Sequence, residues 1–321
     1  MKRVVCFVAL VALFGGVTVS AQRPTDPALL APQEAPALDY VVAPSAFTLP
    51  AGVTMDATAS VAFDRAGNMI VLTRSKEAFY EFDPSGTFVR SFGGSLFIRA
   101  HGIKVDAQGN IWATDVGAHL VHKVDRTGKV LLTLGTKGEA GEWNETAGSR
   151  KLNQPTDVAI AANGDLFVSQ GHTPGANGDA RVLKFDKDGK FLTQWGGKGN
   201  EPGKFQVAHG LAIDPKGNLW VADRENQRIQ VFTPTGGFVR EMKFAGLPCS
   251  IAIGPQQAFM VNGFAGQIVQ MDLNGKVQAV LGKPGKGPGE FGEAHVMAMS
   301  PKGEIYVADS VNATLQKFVK R

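Results

Sequence analysis

The stretch Val207–Met242, VAHGLAIDPKGNLWVADRENQRIQVFTPTGGFVREM, divides into four runs of aliphatic and aromatic residues separated by turn formers. Gly210–Asp214, Leu219–Asp223, Arg228–Phe232 and Phe238–Met242 have the composition of short strands. The segments between them, Asp-Pro-Lys-Gly-Asn, Arg-Glu-Asn-Gln and Thr-Pro-Thr-Gly-Gly, carry residues that hydrogen-bond their own backbone or reach unusual φ values. A meander of this size cannot bury both faces alone, so the pattern calls for neighbours of the same kind.

Those neighbours are present on both sides of it. The pattern recurs as ASVAFDRAGNMIVLTR from Ala59, HGIKVDAQGNIWATDV from His101, TDVAIAANGDLFVSQG from Thr156, HGLAIDPKGNLWVADR from His209, CSIAIGPQQAFMVNGF from Cys249 and HVMAMSPKGEIYVADS from His295. Six units at a period of about forty to fifty residues predict an all-β six-bladed β-propeller over 51–321. The last unit has only three strands of its own, ending in LQKFV at 315–319. Leu38–Val42 reads as a strand that supplies the fourth and closes the ring, leaving no long edge exposed.

The remaining N-terminal sequence reads differently. Residues 1–21 place Lys2 and Arg3 before an apolar run from Val4 to Val17 and a Val-Ser-Ala ending, the pattern of a cleavable secretory signal peptide. A secreted or periplasmic protein is expected, without a stable membrane anchor. Residues 22–50, rich in Pro and Ala, read as a leader wrapped on the surface or disordered. Cleavage leaves Cys249 as the sole cysteine, so no internal disulfide is expected and the core alone holds the fold. A formal charge of +4, with Lys and Arg scattered over the turns, gives no basic stripe for nucleic acid. A monomer acting on a small molecule or peptide is the expectation. Gly-rich insertions after Leu134, Gln170 and Trp195 gather at one end of the ring, where a site is normally assembled.

The chemistry points to histidine. Three of the six, His101, His209 and His295, share one column of the repeat, just before the innermost strand of the second, fourth and sixth blades. Alternate blades of a six-fold ring stand about 120° apart, so three imidazoles converge on the axis at one height. Three neutral imidazoles with a fourth position open is the donor set of a catalytic zinc site. The intervening blades carry Ala59, Thr156 and Cys249 in that column, and Cys249 reads as a small buried residue. His119 is expected to pack near the site and His122 to lie on the surface. Asp115, Asp223 and Asp309 are expected to bond their own turns, and Glu293 reads either as a partner of the metal ligands or as a rim charge.

These residues carry a family resemblance. AHGIKVDAQGNIWATDVGAHLVHKVD (100–125), QPTDVAIAANGDLFVSQG (154–171), VADRENQRIQVF (221–232) and the AHV segment at 294–296 resemble peptidyl-α-hydroxyglycine α-amidating lyase, an NHL-repeat propeller, over roughly 55–320. The resemblance implies zinc on His101, His209 and His295, and an arginine near the metal at Arg74. Two positions depart from the family. Where it has a tyrosine proposed to act on the substrate hydroxyl, this chain has His172, a candidate general base whose ordinary pKa lies near working pH. Where it has an aspartate that ligates a structural calcium, this chain has Val296, so the structural calcium that the resemblance implies is left open. The implied activity is zinc-dependent cleavage of an N-acyl or peptidyl α-hydroxyglycine to an amide and glyoxylate. Two alternatives stand beside it: a zinc hydrolase of a lactone or ester, and a non-catalytic propeller that binds a ligand or protein.

Overall fold

Each blade is an antiparallel four-stranded sheet whose inner strands are almost wholly buried and whose outer strand is mostly exposed or half-buried, as Phe238–Lys243 is beside the fully buried Leu219–Asp223 and Arg228–Phe232. The computed structural model describes residues 23–321 apart from 46, 56 and 174–178. The stretch expected to be a signal peptide lies outside the described residues. The innermost strands, in order round the ring, are Thr58–Phe63, Ala100–Val105, Pro155–Ile160, Ala208–Ile213, Pro248–Ile253 and Ala294–Met299, and each heads one blade. Blades 1 to 5 are continuous in sequence. Blade 6 is made of Ala294–Met299, Ile305–Asp309 and Thr314–Lys320, with Tyr40–Val42 as its outermost strand.

That closure is antiparallel, with Tyr40 opposite Lys320 and Val42 opposite Phe318. The leader is pinned before it reaches blade 6. Leu38 donates its N–H to Val280 and Val280 donates to Pro36, so the chain first adds to the outer strand of blade 5. Gln33 exchanges bonds with Gln267, and its side chain bonds Ala245. Leu38 and Tyr40 then join the apolar cluster of Phe259, Phe291 and Phe318.

Among the described residues the core falls into six clusters, one in each seam between adjacent blades. Burial at these seams is what a single blade cannot achieve, and it holds the ring without a disulfide. The turns are locked as their composition required: Asp214 accepts the N–H groups of Lys216 and Asn218, and Gly217 takes φ 84°. Two expectations are corrected. The innermost strands of blades 2, 4 and 6 begin at Ala100, Ala208 and Ala294, so His101, His209 and His295 lie within them rather than before them. His122 is buried, 5% exposed, with its Nδ1 3.0 Å from Thr133 Oγ1 and its ring edge-on to Phe97. Val121 and Val124 of the same strand lie in the clusters of the two adjoining seams, and Phe97 and Thr133 meet the imidazole between them.

Candidate metal centre

Every innermost strand slips register at the column position. In blade 4, Ala208 faces Asp223 and Gly210 faces Ala222, leaving His209 as the extra residue of a β-bulge. The same shift spans Ala100/Ile103 and Ala294/Val296. A bulge bends its strand and re-aims one side chain. Here it turns the imidazoles toward the axis, where the ring centroids of His101, His209 and His295 lie 4.7 to 5.2 Å apart. Their ligand nitrogens lie within 4.8 Å of one another, and all three residues are buried. Gly102 and Gly210 allow the close approach, since a Cβ at Gly210 would stand 2.5 Å from the Cys249 carbonyl oxygen.

The alternate blades explain the tautomer. His101 Nδ1 lies 2.7 Å from the carbonyl oxygen of Thr156, His209 Nδ1 2.8 Å from that of Cys249, and His295 Nδ1 2.7 Å from that of Ala59. A carbonyl only accepts, so each Nδ1 carries the proton and each Nε2 presents a lone pair. Nε2 of His101 and of His209 is buried with no partner among the described residues. The three residues of the column that are not histidine are therefore the ones that orient the histidines, through backbone rather than side chain. Burial holds His101 and His209 well below the ordinary imidazole pKa and lowers His295 to about 4, with Glu293 opposing that last shift. All three are neutral at ordinary pH, as metal ligands must be. Burial also pushes the Cys249 thiol up to about 12, and its Sγ is not among the converging ligand atoms.

Three neutral nitrogens that converge with their lone pairs free of the backbone fit a zinc ion or another imidazole-binding metal. Calcium does not fit the position that the resemblance marked: Val296 offers no side-chain oxygen, and among the described residues no other trio of His, Cys, Asp or Glu converges. In the central channel nearby, Lys104 already places its ammonium 3.4 Å from Asp157.

His172 sits at this centre. Its ring centroid is 4.8 Å from that of His101 and 5.7 Å from that of His209. It is held by its neighbours, as Gly171 N–H bonds Asn153 and Thr173 N–H bonds the Gln154 side chain. Burial and the Arg224 and Arg99 charges push it well below the ordinary imidazole pKa. It is therefore a neutral base over a wider pH range than composition suggests. Arg74 Nε bonds the Ala100 carbonyl at 3.2 Å, and burial together with Arg99 lowers its guanidinium to about 10. His119 is a loop residue with φ 62° whose Nδ1 accepts the Gln154 N–H.

Sequence reasoning missed Arg224, Arg99 and the burial of Glu293. Arg224 leaves the second strand of blade 4 as Arg74 leaves that of blade 1, and these blades face each other across the axis. Each donates its backbone N–H to the carbonyl two residues before the column, Arg74 to Ala57 and Arg224 to Val207. Their matched positions were the available signal. Burial opposes the Arg224 charge, but Glu225, bonded at 2.9 and 2.6 Å, raises it above the ordinary arginine value. Asp115, Asp223 and Asp309 do more than close their turns. They accept N–H groups from the segments entering the histidine strands: Ile98 and Arg99, Gln206, and Gly292 and Glu293. Glu293 is 1% exposed and accepts the Ser310 hydroxyl proton.

Residues 205–232 match the NHL repeat profile. The chain is a six-bladed β-propeller that carries an NHL repeat. This NHL propeller is 37% identical over 257 residues to peptidyl-glycine alpha-amidating monooxygenase of Mus musculus, a match that covers 74% of this chain and 25% of that protein. It is 27% identical over 331 residues to peptidyl-alpha-hydroxyglycine alpha-amidating lyase 1 of Drosophila melanogaster, covering 84% of this chain and 58% of the relative. The chain thus spans about a quarter of the mouse protein and somewhat over half of the fly protein. A solved gluconolactonase of Xanthomonas campestris superposes with a TM-score of 0.60 at 16% identity, over 83% of this chain and 86% of that one, a likeness of fold alone. The relatives named as amidating lyases agree with the resemblance that the motifs carry. Among the described residues no helix is long and apolar enough to cross a membrane.

Proposed function

We propose that this NHL propeller is a zinc-dependent lyase that cleaves the C–N bond of N-acyl or peptidyl α-hydroxyglycine, giving an amide and glyoxylate. The observation that carries the reading is the set of three buried histidines whose Nδ1 atoms are tied to carbonyls, with His172 and arginines gathered on the same centre.

In this reading His101, His209 and His295 hold the metal through Nε2. When bound, zinc would lower the pKa of a substrate hydroxyl and stabilise negative charge developing there. Arg74 orients the substrate by its carboxylate, which a planar fork grips in a fixed geometry. His172 accepts the hydroxyl proton and returns it to the amide nitrogen as the C–N bond breaks, so the carbinol carbon leaves as the aldehyde of glyoxylate. Nothing is oxidised or reduced overall, and no water is consumed. The burial of the three histidines and of Glu293 strengthens charge interactions at the centre. We further infer a monomer that works outside the cytoplasm on a small-molecule or peptide substrate.

Glyoxylate release from an N-acyl-α-hydroxyglycine by the zinc-loaded protein, with metal analysis of the same sample, tests the reading. About one zinc per chain with stoichiometric glyoxylate and amide is expected. Hydrolysis of a lactone or ester without glyoxylate release would replace the lyase by a hydrolase.

A further inference from the structure

Arg74 has an arginine neighbour that the mechanism above does not use. Blades 2 and 6 flank blade 1, and two residues before their histidines they carry Arg99 and Glu293. The backbone of Arg99 is fixed from both sides: its N–H bonds Asp115 Oδ1 at 2.8 Å, and its carbonyl accepts the Val116 N–H at 3.1 Å. Arg74 Nε meets the carbonyl of the next residue, Ala100, which brings the Arg74 head group against the segment that bears Arg99. Gly117 leaves room for that segment, because a Cβ there would stand 3.1 Å from Arg99 Cβ.

We propose that Arg99 joins Arg74 in a two-guanidinium clamp on the substrate carboxylate, which makes a free carboxylate beside the reacting carbon a condition of binding. Neither arginine has a carboxylate within 4.0 Å among the described residues, and Arg99 Nε is buried with no hydrogen-bond partner there. The Glu293 carboxylate is engaged by Ser310 and forms no ion pair with either arginine. Two neighbouring, partly buried guanidinium groups left unpaired cost free energy, and a carboxylate bound between them offsets it with up to four charge-assisted N–H···O bonds. The specificity is a discrimination of charge and shape, since an amide in place of the carboxylate leaves the donors without a matching acceptor pair.

This inference rests on the lyase reading only for the place of the carboxylate, so the test avoids turnover. N-benzoylglycine, which has the acyl, amide and carboxylate groups but no hydroxyl, is titrated calorimetrically into the zinc-loaded protein, alongside N-benzoylglycinamide. The wild type should prefer the acid, and Arg99→Leu should weaken acid binding about tenfold or more while leaving the weak binding of the amide unchanged. Arg99→Lys should recover part of the loss, as it keeps the charge and not the fork, and it serves if the leucine variant misfolds. Metal content and melting temperature are measured for each variant. Equal acid binding by wild type and Arg99→Leu overturns the clamp, and so does a wild type with no preference for acid over amide. If the clamp behaves as stated and no glyoxylate is released from the hydroxylated substrate, the clamp stands and the lyase reading falls.

Discussion

The even and odd blades share one backbone plan and divide the labour of the site. Blades 2, 4 and 6 carry His101, His209 and His295 in the column and close their second strands with Asp115, Asp223 and Asp309. Blades 1, 3 and 5 carry Ala59, Thr156 and Cys249, and close theirs with Thr73, Gln170 and Asn262. The alternation is thus written twice. An even blade contributes an imidazole and an aspartate that ties down the segment entering it; the odd blade that follows contributes a carbonyl that sets the tautomer. The working unit is a pair of blades, used three times, and at the column position side-chain identity matters in only one member of each pair.

The comparison breaks first at the even positions. Alanine at His101, His209 or His295 should remove the metal and lower glyoxylate release by about ten-thousandfold or more, as metal analysis and the rate assay on one sample would record. Full occupancy in all three variants would end the idea that the even blades form a ligand set. His172→Ala comes next. It should keep the metal and lower kcat by about a hundredfold to ten-thousandfold with little change in KM, as expected when a proton-transfer group is lost. An unchanged rate and pH profile would reduce His172 to a loop residue.

Acid should expose the same asymmetry in stability. The folded even-blade histidines are held below the unfolded value of about 6.5, His295 at about 4, so the unfolded chain binds more protons between those limits. Their contribution is present above pH 6.5 and is lost as pH falls toward 4. Denaturation midpoints of metal-free protein, followed across that range, should decline; a flat profile would show that the imidazoles titrate normally. Removing residues 22–45 probes the one blade assembled from both ends of the sequence. It should lower the melting temperature by roughly ten degrees by uncovering the edge of Thr314–Lys320 and the seam around Phe318. No change would mean that the ring closes without that strand. The smallest effect is expected at an odd position. Cys249→Ala keeps the carbonyl that orients His209, so metal content should stay at wild-type level while stability drops by about 1 kcal/mol from the small void. Loss of metal in this variant would show that side chains in the odd blades matter after all.

Much of this architecture is legible in the residues alone. Turn residues at fixed offsets and apolar runs of strand length are local chemistry, and their recurrence sets the number of blades. The three-stranded last repeat, ending at 315–319, points to closure from the N-terminus, and Tyr40–Val42 does pair with Thr314–Lys320. The histidine column is legible because one periodicity carries all three residues. Arg224 shares its place in the repeat with Arg74, but Arg99 and Glu293 stand at another place, two residues before the column, so no single spacing groups the four. They meet because blades far apart in sequence are neighbours, or opposites, round an axis. The leader can be placed only through its partners Gln267 and Val280, more than two hundred residues away.

The sequence by itself determined the repeat, the ring and the identity of the converging imidazoles, since each follows from periodic side-chain chemistry that every blade expresses locally. The tertiary structure alone decided which nitrogen of each imidazole is free, that the odd blades supply the orienting carbonyls, and which charges surround the centre. Backbone carbonyls leave no mark in a sequence, a bulge changes direction without changing composition, and the field at a buried point is a sum over groups that only the closed ring brings together.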